Sequence, residues 1–255
     1  VSGATISNGR MLFDKGRIVA VGSAADVPDS PGATVVSLAG KHLYPGFISA
    51  NSSLGLVEVQ SVRATVDSAE TGALNPNSRA LVAINADSEL IPVARANGVL
   101  AALTVPRANV GGLIAGTSAL IQMDGWTWED MGIVPEVGLH VFLPGMRFNA
   151  ALYPTLPAAR LEEMQRLTAQ RLKALEDAFE SAAAYVKAQA SGESLAPDVR
   201  WEAMRPVING QRTVFMHADE LPQMRYALGF AQRFGVKIVI VGGQDAALIT
   251  DLLRE

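Results

Sequence analysis

At Leu43 the sequence changes its period, and this change constrains the fold more than any other feature. Upstream lie short β-prone runs, Ala4 to Ser7, Arg10 to Phe13 and Arg17 to Val21, separated by Asn8-Gly9 and Lys15-Gly16. Asn-Gly between such runs supplies the positive φ angles of a tight hairpin turn. A further run, Thr34 to Leu38, predicts one more strand before Gly40-Lys41. From Leu43 onward strand and helix signals alternate instead, the signature of βα units around a parallel sheet. The expected division is therefore an N-terminal β-sandwich portion, residues 1–42, and a β/α portion, residues 43–255. Taken alone, the first forty residues fit any β-sandwich module equally well.

Within the second portion Leu43 to Ile48 reads as a short apolar strand running into a polar loop. Asn85 to Asn97 predicts a helix, with Asp87 or Ser88 as N-cap and Asn97-Gly98 as the stop. Val99 to Val105 is a buried strand ended by Pro106, Leu113 to Met123 is further strand around Gly116, and Gly125 to Met131 turns into a short helix. Pro157 to Gln189 is the longest helical pattern, with Leu161, Met164, Leu167, Leu172, Leu175 and Phe179 on one apolar face. A loop around Gly192 to Pro197 leads to a short helix at Trp201 to Val207 and a strand at Thr213 to Met216. Leu221 to Phe234 is a helix stopped by Gly235, Val236 to Val241 a strand apolar enough to be covered on both faces, and Gln244 to Arg254 a last helix. Roughly six strands of barrel type emerge, against the eight that close a (β/α)₈ barrel. An open barrel exposes strand edges, so completion by further chain segments, by another chain or in a homo-oligomer is expected.

Composition removes several function classes. With 255 residues and 49% hydrophobic content the chain can bury a large core. Its net charge of -4 offers no electrostatic case for nucleic acid or for an anionic membrane. No apolar stretch is long enough to span a bilayer. The absence of cysteine excludes disulfides, thiolate metal sites and cysteine nucleophiles. Val1 opens neither with Met nor with a signal-peptide pattern, so a preceding segment is expected, and a soluble protein of the cytoplasm or the periplasm fits. Glycines 111, 112 and 116 lack the spacing and lysine of a phosphate loop, and no G-x-S-x-G elbow is present.

Several segments resemble, in order, the amidohydrolase superfamily, most closely its imidazolonepropionase-like and prolidase-like members. Ile6 to Gly22, ISNGRMLFDKGRIVAVG, is similar to the family's opening sandwich. Pro45 to Glu58, PGFISANSSLGLVE, is similar to its first barrel strand. Ala94 to Gly112 resembles a helix, a strand and a glycine-rich loop of the family, and Met123 to Met131, MDGWTWEDM, a segment of the same subgroup. Thr213 to Asp219, TVFMHAD, and Phe234 to Ala246 resemble the fifth and sixth strand segments. The resemblance implies a (β/α)₈ TIM-type barrel, incomplete here, behind a small β-sandwich domain. It also implies C–N bond hydrolysis, in which a metal acidifies water and polarises a carbonyl.

The ligand positions that the resemblance marks are altered. Where the first strand of the family ends in His-x-His, this chain has Asn51 and Ser53. An amide oxygen and a hydroxyl are poor zinc ligands. Gly242 or Gly243 stands at the histidine position of the sixth strand, and only His217 survives of the ligands that can be matched. No cofactor is expected, and a divalent metal such as zinc enters only if other residues rebuild its site.

Functional groups of a barrel gather at the carboxyl ends of its strands. His217, Ser53 and Asp219 are the candidate catalytic residues, and Asn51, Arg107, Glu58 and Gln244 the candidate substrate-binding residues. His217 could activate Ser53 or a water if the two meet, or simply line the cleft. Glu58 and Asp219 serve as acid or base only if burial raises their pKa, and are otherwise loop carboxylates. Arg107 either clamps a substrate carboxylate through paired hydrogen bonds or forms a salt bridge at the rim. His42 reads as a surface residue and His140 as a packed strand residue. The partner expected is a small molecule, met either by a hydrolase with an impaired metal centre or by a non-catalytic relative that binds a ligand or partners an active paralogue.

Overall fold

A computed structural model describes residues 3–148, 155–192 and 196–254. The expected loop Gly192 to Pro197 therefore lies partly outside the described residues. The chain forms two compact units, Val1–Gly46 and Phe47–Glu255.

In the first unit β1 (Gly9–Asp14) and β2 (Arg17–Ser23) form an antiparallel hairpin in which Asp14 pairs with Arg17. The tight turn is at Lys15-Gly16, with φ of 47° and 74°, rather than at Asn8-Gly9. Gly9 is already paired with Ser23, so the Asn-Gly signal starts a strand instead of joining two. Ala4 to Ser7 and Thr34 to Leu38 are not strands. A β-prone run still needs a neighbouring strand to take its amide and carbonyl groups, and neither segment pairs with one among the described residues.

The second unit holds two four-stranded sheets. One has the order β3-β4-β6-β7, made of β3 (Phe47–Ser52), β4 (Val99–Thr104), β6 (Ala119–Gln122) and β7 (Gly132–Val134). The other has the order β10-β9-β8-β5, made of β5 (Ile114–Thr117), β8 (Gly138–Phe142), β9 (Thr213–Ala218) and β10 (Ile238–Gly242). Strands β3 and β4 run parallel, as do β8, β9 and β10, while β5, β6 and β7 pair antiparallel. The expected strand Leu113 to Met123 thus divides at Ser118 and serves both sheets. Ser118 is fully buried, donating its N–H to Gly138 and accepting from the N–H of Val137. These strands form a mixed α/β unit and, among the described residues, no closed barrel.

Helix α1 (Leu90–Ala96) is shorter than its pattern, and α2 (Trp128–Met131) is capped by the Thr127 hydroxyl. The long helix α3 (Ala158–Ala190) buries Leu161, Leu175, Ala178, Phe179, Ala182 and Tyr185, so its inner face is concentrated in the second half and Leu167 is left exposed. Next come α4 (Val199–Ile208) and α5 (Leu221–Phe234), the latter stopped by Gly235 at φ 64°. Beyond β10 the expected helix is one 3₁₀ turn, Ala246–Ile249.

The main core lies between these helices and one face of the β8-β9-β10 sheet. Val214, Met216 and Ala218 alternate along β9 and pack with Leu139 and Val141 of β8 against Leu175, Phe179, Met204, Met224 and Phe230. Each large side chain so buried contributes about 2 kcal/mol. A strand alternates its sides, so this burial turns Thr213, Phe215 and His217 to the opposite face. There β10 is half open, with Val239 43% exposed, so the strand is not covered on both sides as its apolar run suggests.

Candidate binding site

The parallel register of β8 and β9 sets His140 beside Phe215 and Phe142 beside His217. All four side chains therefore stand on the face opposite the helices. Gly138 makes room for them: a Cβ there would lie 2.3 Å from the Phe215 ring. His140 stacks on Phe215 with centroids 4.8 Å apart, and His217 stacks on Phe142 at 3.8 Å. The two imidazoles meet, with His140 Nδ1 3.0 Å from His217 Nε2.

Burial pushes His140 from 6.5 down to about 3, helped by the adjacent His217 and by the positive charge of Arg107. Burial and then Arg107 bring His217 down to about 4. Both rings are neutral at neutral pH, so one N–H is shared between them. His140 Nε2 is buried without a hydrogen-bond partner among the described residues.

Around this pair the loops are tied by one glutamine. Gln223, at the start of α5, is buried and accepts at Oε1 from the amides of Asp219 and Glu220, both at 2.9 Å. Its Nε2 donates to the carbonyls of Leu143 and Pro144 at 3.2 and 3.0 Å. Glu220 accepts from the Met146 amide at 2.7 Å, and Asp245 accepts from the Leu221 amide and from Arg147. The segments that follow β8, β9 and β10 are thus joined at the carboxyl ends of the strands.

The expected site residues fall into two groups. His217 lies at the carboxyl end of β9, and Arg107, half-buried three residues beyond the end of β4, adds its positive charge to the burial that lowers the His217 pKa. Asp219 follows β9, and its carboxylate leans over Gly242, where a Cβ would come within 2.2 Å of Oδ1. Gln244 is exposed two residues beyond β10. The others attach to the first sheet. Asn51 is exposed in β3, Ser53 follows that strand half-buried, and Glu58 accepts a hydrogen bond from the Asn85 side-chain Nδ2 at 3.3 Å. Among the described residues no hydrogen bond joins Ser53 to His217, whose Nε2 is engaged by His140. His42 belongs to the first unit, exposed and stacked near Tyr44.

Sequence reasoning placed His140 in a strand but missed its pairing. Its signal was a polar residue within the apolar run Leu139 to Leu143, two positions before Phe142. Gln223 was also missed, although Glu220-x-x-Gln223 is a capping box at the head of a helix.

The side chains present do not fit a zinc centre. Zinc is held by three or four nitrogen, sulfur or carboxylate donors. Here two histidines hydrogen-bond each other beside an arginine charge, Asn51 and Ser53 are weak donors, and Gly242 and Gly243 offer none. No group of three metal-capable side chains converges among the described residues. A cavity of about 320 Å³ lined by Arg79, Leu81, Trp128 and Glu129 gathers none of the expected site residues.

Parallel strands alternating with helices, with polar residues at the strands' carboxyl ends, define a mixed α/β protein. The structure is similar to that of an amidohydrolase from Thermotoga maritima, with a TM-score of 0.79 and 26% identity over 95% of this chain and 62% of that one. This likeness supports the amidohydrolase superfamily as the class of the protein. The chain spans about 62% of the length of that relative. No family model and no curated protein matches. No described helix is long and apolar enough to cross a membrane.

Proposed function

We propose that this chain is an amidohydrolase-like protein that binds a small molecule beside the His140–His217 pair, with the metal-dependent C–N hydrolysis of such proteins impaired. One observation carries the reading: the groups at the ligand positions that the resemblance marks are Asn51, Ser53 and either Gly242 or Gly243, while His217 bonds to a second histidine. The remaining polar groups that are not fully buried, Arg107 and Asp219, suit recognition of a ligand more than activation of water by a metal. The imidazolonepropionase-like and prolidase-like segments point to a ligand containing an amide or a cyclic amide. The parallel pairs β3-β4 and β8-β9-β10, with the Thermotoga likeness, support reading the two sheets as parts of a (β/α)₈ barrel.

A hydrolase with a remodelled centre is the second reading, favoured by the same likeness. Metal analysis of protein purified without chelators separates the two. The expected result is zinc, nickel and manganese far below stoichiometry and no turnover of N-acyl amino acids. Stoichiometric metal with turnover abolished by a chelator would overturn the proposal.

A further inference from the structure

The cavity of about 320 Å³ in the second unit is lined by none of the residues around the His140–His217 pair. It opens between the 3₁₀ turn Ala80–Ala83 and the segment that runs from α2 through β7 to Pro135. Its size falls at the lower end of the ~300–1,000 Å³ of small-molecule sites. Leu81, Val82 and Pro135 supply apolar walls, and the half-buried Trp128 adds an aromatic ring. Gly132 lets the two segments close on each other, since a Cβ there would lie 3.2 Å from Leu81 Cδ2.

Two charges of opposite sign complete the lining, Arg79 and Glu129. They do not neutralise each other, since among the described residues no ion pair joins them. Arg79 reaches Glu136 only at 3.9 Å, and the other oxygen of that carboxylate is held by Arg212. Its side chain stays 54% exposed. Glu129, exposed in the first turn of α2, has neither an ion pair nor a side-chain hydrogen bond among the described residues. Both side chains start from a fixed backbone, because Arg79 bridges to Thr117 of β5 and the Thr127 hydroxyl caps α2. Trp128 and Glu129 belong to the segment MDGWTWEDM, which the site at His217 does not use.

We propose that this cavity binds a free α-amino acid with an apolar side chain. Such a ligand carries a carboxylate, an ammonium and an apolar group on one carbon, and the lining offers a partner for each. The paired N–H groups of Arg79 match the two carboxylate oxygens. Glu129 takes the ammonium, and Leu81, Val82 and Trp128 take the side chain. A simple anion would be opposed by Glu129 and a simple cation by Arg79, while a purely apolar ligand would use neither charge. Binding here is separate from the ligand reading at the His140–His217 pair and stands or falls without it.

The test titrates the full chain with L-phenylalanine and L-leucine, followed by heteronuclear NMR at the Trp128 indole N–H and the Gly132 amide. Each amino acid is compared with its amide, which lacks the carboxylate, with its N-acetyl form, which lacks the ammonium, and with glycine, which lacks the apolar group. At least one of the two amino acids is expected to shift both signals and to bind about fivefold tighter than either of its derivatives, with glycine weaker still. R79Q is expected to remove the preference over the amide and E129Q the preference over the N-acetyl form, with the spectra of both variants confirming an intact fold. Equal binding of each amino acid and its derivatives to the wild type, or shifts confined to residues outside the cavity, would overturn the proposal. So would preferences unchanged in both variants, or the absence of shifts with both amino acids.

Discussion

The histidine pair contributes to how stability responds to acid. Unfolded, His140 takes up a proton near 6.5, but folded it resists protonation until about 3. Between these values the unfolded chain binds more protons, so stability is full at neutral pH and falls as the pH drops from 6.5 toward 3. Urea unfolding at pH 7.5 and pH 5.0 is expected to show this loss, and H140L should flatten it. Gln223 makes a second prediction. Its side chain satisfies two amides and two carbonyls of two connecting segments, and Q223A leaves these groups unpaired. The expected cost is about 2 kcal/mol in the same assay. Of these residues only His217 and Arg107 were legible as site candidates, through motif position and strand end. His140 and Gln223 gain their roles from partners 77 and 80 positions away in the chain, which no local pattern specifies.

Helix α3 shows how an amphipathic pattern and its packing part company. Leu167 and Leu175 lie on the same predicted stripe, yet Leu167 is 44% exposed and Leu175 is fully buried. L175A is expected to cost about 3 kcal/mol, and L167A less than about 0.5, measured by chemical denaturation. The 3.6-residue period was right, but it does not say where along its length a helix meets the sheet. Strand β8 carries a comparable point. Gly138 admits the Phe215 ring, so G138A should force the aromatic stack apart at a cost of about 2 kcal/mol and shift the His140 and His217 resonances. Helix α5 matched its pattern from end to end, since its capping box and its Gly235 stop are encoded locally.

At the scale of the molecule the two sheets leave strands β3 and β10 at their edges, with Phe47 and Ile48 exposed on β3. Hydrogen exchange is expected to be slowest in β9, which is paired on both sides and backed by the main core. It should be faster in β3 and β10, which are paired on one side only. Uniform protection across all three strands would show that both edges are covered in solution. The sequence by itself determined most of the helices and the change near Leu43 from short β-prone runs to alternating strand and helix signals. These rest on local periodicity, turn chemistry and residue identity, which a chain carries wherever it folds. Only the tertiary structure decided that Ile114 to Gln122 divides between two sheets, that Thr34 to Leu38 is not a strand, and that His140 meets His217. Each of these depends on which distant segment supplies a hydrogen-bond partner or a packing surface, and that choice is made by the whole fold.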